Sequence, residues 1–160
     1  MIKRKVLFDG DIVMTEERLR RIVNRMDVKQ THRRVTRWAY RDIFYPGTIW
    51  QTGVPYEFDS DLRSEDMCSS TVGRDTSQPK QPVYIGPHCY DFGITTHEIA
   101  HALGLFHHQQ RYDRDEYVTF YPDNVDRSNA FNFAEIPPDF LDTYGLPYDV
   151  GSVMHYAPTE

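Results

Sequence analysis

Downstream of Thr15 the apolar residues recur three and four positions apart. Leu19, Ile22, Val23 and Met26 make one stripe, which predicts an amphipathic helix. Thr15 supplies an N-cap, Glu16 and Glu17 place acid in the first turn, and arginines follow further along, the polarity that a helix dipole favours. The preceding D-G-D at 9–11 is a turn signal. The pattern is lost in V-K-Q-T-H-R-R-V-T-R at 28–37, which is polar and basic and reads as a linker. From Trp38 short apolar runs alternate with Pro and Gly. The runs I-F-Y-P-G-T-I-W (43–50), V-P-Y-E-F-D (54–59), S-T-V-G (70–73) and Q-P-V-Y-I-G (81–86) predict short strands. A second helix is predicted from Phe92 or Thr95 to Leu103, stopped by Gly104. Beyond Phe106 the chain is rich in Asp, Pro, Tyr and Asn and reads as mostly irregular.

The length of 160 residues suits one globular domain. No apolar run approaches the length of a transmembrane segment. A net charge of −6 argues against nucleic acid as a partner. The charge is uneven: basic residues crowd between Lys3 and Arg41 and the remainder is acidic, which sets residues 1–34 apart as a unit appended to 35–160. The N-terminus, M-I-K-R-K-V-L-F-D-G-D, carries positive charge with no apolar core behind it, so no signal peptide is read there. Cys68 and Cys89 allow one disulfide or two free thiols. Arg33 and Arg34 offer a site to a trypsin-like or furin-like protease, or a plain solvated loop.

The chemistry concentrates in T-T-H-E-I-A-H-A-L-G-L-F-H-H, residues 95–108. His97 and His101 lie four apart on the second helix and project from one face, close enough to share a metal ion. Glu98, one residue along, suits a general base over the open coordination position rather than a third ligand. Gly104 permits a turn that returns His107 as the third nitrogen. Three imidazoles leave a place for water, the layout of a catalytic zinc site with one ion per chain. His32 and His108 fit no ligand position and are expected to face solvent.

The motif H-E-x-x-H-x-x-G-x-x-H, with H-Q-Q-R-Y-D-R-D-E-Y-V after it, resembles the astacin family of zinc metallopeptidases within the metzincin clan. G-S-V-M-H-Y at 151–156 resembles that family's Met-turn. The resemblance implies that Met154 forms a hydrophobic base under the zinc. It implies that Tyr156 joins the metal and swings out to stabilise the transition state. It pairs Cys68 with Cys89 and puts T-V-G near an edge strand that binds substrate. F-D-G-D at 8–11 resembles the family's pro-segment motif, in which the last aspartate, here Asp11, takes the place of the catalytic water until an activating protease cuts the chain.

Two departures stand out. His108 occupies the place of a family glutamate that anchors the newly freed N-terminus. Only S-D-L-R-S-E-D-M separates Asp59 from Cys68, where relatives carry a helix and further strands, and relatives continue beyond the place where this chain ends. The expected fold is α+β and metzincin-like: a small twisted sheet on the zinc helix, an irregular lower part and an N-terminal pro-segment. The expected function is a latent, secreted zinc endopeptidase acting on protein or peptide substrates. The alternative is a non-catalytic zinc-binding fragment.

Overall fold

The computed structural model describes residues 5–8, 10–26, 45–58 and 67–158. It opens with a hairpin that the sequence pattern did not predict. Strand β1 (Lys5–Phe8) pairs antiparallel with β2 (Ile12–Thr15), and Gly10 at φ 81° supplies the left-handed residue of the turn. Helix α1 (Glu16–Met26) follows directly, as predicted. The Arg18 N–H donates to Thr15 Oγ1 at 3.2 Å, which makes Thr15 its cap, and Glu16 and Glu17 each pair with the arginine four residues on.

Strands β3 (Cys68–Ser70) and β4 (Val83–Ile85) complete a four-stranded sheet in the order β1-β2-β3-β4. β3 and β4 run antiparallel, whereas β2 and β3 run parallel with Ile12 opposite Ser70. The Ser70 N–H donates to the Asp11 carbonyl at 2.8 Å, so the N-terminal hairpin is stitched to β3 beside the turn that carries Asp11. Helix α2 (Phe92–Leu103) packs against β3 and β4. Cys68 and Cys89 are joined in a disulfide that ties β3 to the segment leading into α2.

Two of the predicted strands are not strands. Residues 45–48 form a turn, closed when the Ile49 N–H donates to the Pro46 carbonyl at 3.2 Å, and 54–58 run without ladder partners. Pro46 and Pro55 lack the N–H a ladder needs, and Gly53 at φ 101° breaks the extended run between them. The third prediction is displaced: β3 begins at Cys68 and ends at Ser70, while the Gly73 N–H donates to the His101 carbonyl at 2.8 Å, at the end of α2. The last third of the chain is irregular, as expected, with short 3-10 turns.

One core joins these parts. Ile12, Met14 and Ile22 from the N-terminal segment are buried in the same cluster as Val72, Ala100, Phe106, Ile136, Leu141 and Met154. Arg111 is also fully buried, with its guanidinium satisfied by both Asp113 carboxylate oxygens at 2.8 and 2.7 Å and by the carbonyls of Leu146 and Pro147. It fixes the segment that leads into 151–156 against the turn that follows His107.

Asp91 caps α2 by accepting from the Gly93 N–H at 2.7 Å. Gly104, at φ 111°, ends it and donates to the His101 carbonyl at 2.8 Å. A Cβ at Gly104 meets nothing closer than Gly73 Cα at 3.9 Å, so the constraint there is backbone conformation rather than space. Gly104→Ala is therefore expected to lower stability by about 1–2 kcal/mol, read as an earlier urea midpoint with an unchanged slope.

Candidate metal centre

Three imidazoles meet at one point. His97 and His101 stand one turn apart on α2, and the reversal at Gly104, anchored by buried Phe106, returns His107 to the same place. The fourth group is Asp11, from the β1–β2 turn. Its Oδ2 lies 3.1 Å from His97 Nε2 and 3.1 Å from His107 Nε2, and its Oδ1 lies 3.7 Å from His101 Nε2. His97 Nε2 and His107 Nε2 are 3.0 Å apart. These four residues form a group able to hold a metal ion.

The back of the rings explains why their Nε2 atoms face inward. His97 Nδ1 contacts the Val153 carbonyl at 2.7 Å, and His101 Nδ1 contacts the Leu105 carbonyl at 2.7 Å. A carbonyl only accepts, so both Nδ1 atoms carry hydrogen. Burial pushes His101 down to about 4, so its ring is neutral at physiological pH and its Nε2 is a bare lone pair. That lone pair faces a carboxylate.

This arrangement is unsatisfied as it stands. His101 Nε2, Asp11 Oδ1 and Glu98 Oε2 are buried without a hydrogen-bond partner, a costly state for three polar atoms in one place. A divalent cation removes the conflict. Tetrahedral ligands held about 2.0–2.1 Å from zinc lie roughly 3.3 Å from one another; four of the contacts here run from 3.0 to 3.7 Å, and all four donor atoms lie within 4.8 Å of one another. Nitrogen donors whose other ring nitrogen is tied to a carbonyl suit zinc well.

Glu98 is 1% exposed and lies beside this group. Burial, and then the negative charge of Asp11, push its carboxyl up to about 7. Met154 is buried within the core cluster, and the Tyr156 ring packs against His107 with centroids 4.9 Å apart. Arg33, Arg34 and His32 lie outside the described residues.

His108 corrects the sequence reading. It is 4% exposed rather than solvent-facing, and its Nε2 accepts from the Asp149 N–H at 3.0 Å. Its ring meets Tyr148 edge to face, 4.5 Å between centroids. The residues that bury it come from forty positions downstream, beyond the reach of local pattern. Sequence reasoning also passed over the orienting carbonyls of Leu105 and Val153, although Leu105 stands four residues after His101 beside a helix-ending glycine, where such a contact is predictable.

Comparisons with known proteins place the chain in a family. Residues 57–160 match the family model of Astacin, a peptidase family. The chain is 42% identical to zinc metalloproteinase nas-29 of Caenorhabditis elegans over 208 aligned positions, covering 98% of this chain and 39% of that protein. It is 40% identical to zinc metalloproteinase nas-23 of the same organism, covering 99% of this chain and 36% of that protein. Among solved structures it resembles high choriolytic enzyme 1, a hatching enzyme zinc-protease from the medaka fish Oryzias latipes. The TM-score is 0.52 at 37% identity, over 58% of this chain and 44% of that one. The chain thus spans about two fifths of the length of the worm relatives it matches. With its histidine cluster and its matched residues, the chain belongs to the astacin family of zinc metalloproteinases.

Proposed function

We propose that this chain is a latent zinc endopeptidase in which His97, His101 and His107 hold the metal and Asp11 closes the site. The observation that carries this reading is the convergence of three inward-facing Nε2 atoms on one carboxylate, with their partners arranged for a cation. Zinc, when bound, supplies Lewis-acid polarisation of the water and of the scissile carbonyl. Glu98 takes the proton of the attacking water and passes it to the leaving amine. Its buried carboxyl beside the histidines is placed for both halves of that task, accepting and then giving up a proton. The Tyr156 hydroxyl donates to the developing oxyanion. Substrates are proteins or peptides, bound as an added strand on the edge of β3 that β2 now occupies.

Latency follows from the same contacts. The segment 1–34 acts as a pro-segment, with Asp11 where the nucleophilic water would stand, and an activating protease cuts at Arg33–Arg34. The disulfide between Cys68 and Cys89 suits an oxidising, extracellular setting, and no helix among the described residues is long and apolar enough to cross a membrane.

A second reading, a zinc-binding fragment without activity, has its own support. The alignment with nas-29 needs 208 positions for a 160-residue chain. Along α2, Phe92 is 85% exposed and Ile99 and Leu103 are also exposed, an apolar stripe that no described residue covers. On this reading the domain lacks the portion that relatives carry between Asp59 and Cys68.

Three outcomes test the leading reading. Asp11→Ala should cleave a quenched-fluorescent peptide without prior proteolysis, whereas the parent chain should need cutting at Arg33–Arg34; an Asp11→Ala chain that holds zinc and cleaves nothing supports the fragment. In the active background, Glu98→Gln should lower kcat by about 10²–10⁴-fold with zinc content unchanged. Tyr156→Phe should lower kcat by about 10²–10³-fold while KM stays near the parent value.

A further inference from the structure

Tyr156 lies over His107, yet no regular element holds it there: residues 151–158 contain neither helix nor strand. Its two flanking peptide groups are instead held by side chains. The Tyr156 N–H donates to Gln109 Oε1 at 3.2 Å. The Tyr156 carbonyl contacts His155 Nδ1 at 2.7 Å. In the neutral ring that nitrogen must carry the hydrogen, because a carbonyl only accepts, and so His155 Nε2 is an acceptor. It lies 2.7 Å from the Tyr148 hydroxyl, which therefore donates to it.

Tyr148 is itself well fixed. Its ring stacks on Tyr117 with 5.0 Å between centroids and 8° between planes, and Arg111 Cζ lies 5.2 Å from its centre on the other contact. The ring is nearly buried, and burial pushes its hydroxyl up to about 12, so it remains a donor. Arg111 also grips the carbonyls of Leu146 and Pro147 immediately before Tyr148. A chain of contacts thus runs from a buried arginine through Tyr148 and His155 to the backbone of Tyr156.

We propose that Tyr148 is a positioning residue for Tyr156, acting through the imidazole of His155, with Gln109 holding the opposite side of the same residue. Tyr148 does not touch substrate or metal. Its hydroxyl fixes the orientation of His155, His155 fixes the Tyr156 carbonyl, and the phenol ring of Tyr156 is thereby aimed over His107. The inference rests on the peptidase reading only for its catalytic consequence; the clamp itself is a statement about geometry.

Tyr148→Phe tests it, since the ring, its stacking and the arginine contact are kept and only the hydroxyl is lost. Two readouts on the full chain judge the clamp without any turnover. The ¹⁵N shifts of His155 should show the Nδ1–H tautomer in the parent and a mixture in the variant. Exchange of the Tyr156 amide should be about tenfold faster or more in the variant, at equal global stability. In the Asp11→Ala background the variant should also lose about ten- to a hundredfold in kcat with KM within about twofold, as expected when a catalytic group is misplaced without loss of binding. Should Tyr148→Phe fold poorly, His155→Leu should give the same faster exchange and the same kcat loss. An unchanged Tyr156 amide and an unchanged kcat would overturn the proposal and leave Tyr148 a packing residue. A parent background that cleaves no peptide would sink the peptidase reading, while the tautomer and the exchange rate would still decide the clamp.

Discussion

The structure is organised around one electrostatic demand: three imidazole nitrogens and a carboxylate oxygen are brought to within 4.8 Å of one another in a mostly buried place. Left to themselves, these atoms gain nothing by meeting. His101 Nε2 and Asp11 Oδ1 find no hydrogen-bond partner there. The surrounding fold must hold them in place, and it does so through the backs of the rings, where the Leu105 and Val153 carbonyls fix the tautomers. The cation that balances the group then recovers the energy of several unsatisfied atoms at once. The reversal at Gly104, the buried Phe106 and the segment carrying Val153 through Tyr156 all serve that convergence.

The N-terminal segment is integral to this arrangement. Its strand β2 extends the sheet beside β3, and Ile12, Met14 and Ile22 belong to the same core as Phe106 and Met154. Asp11 is therefore delivered by a hairpin with its own hydrogen bond to Ser70 and its own buried apolar residues, rather than by a loose tail. Under the proposed latency, displacing Asp11 means separating β2 from β3 and opening part of the shared core. Cutting the chain between the hairpin and the remainder is the natural way to weaken it.

The centre was legible in the sequence because its logic is local. Four of its features, His97, His101, Gly104 and His107, fall within eleven residues, and their spacing alone describes a helix turn, a stop and a return. Helix α1 was legible for the same reason, through Thr15 and its apolar stripe. What the sequence hid depends on distant partners. K-V-L-F and I-V-M-T pair with each other across the turn at Gly10 and join the sheet where Ile12 meets Ser70. His108 is buried only because Tyr148 and Asp149 return to cover it. The over-read runs at 43–50 and 54–59 are rich in strand-forming residues, but their prolines and Gly53 outweigh that preference. Arg111 is buried through partners that local pattern does not reveal, the carbonyls of Leu146 and Pro147.

The central claim is that these residues form a zinc site in this chain as it stands. The direct measurement is zinc per polypeptide, by elemental analysis of the full chain folded under oxidising conditions, beside the same measurement on His101→Ala. The account predicts about one zinc per chain and its loss in His101→Ala, since that ring supplies a buried nitrogen with no other partner. A folded chain that holds no zinc, or a His101→Ala variant that keeps it, would contradict the account.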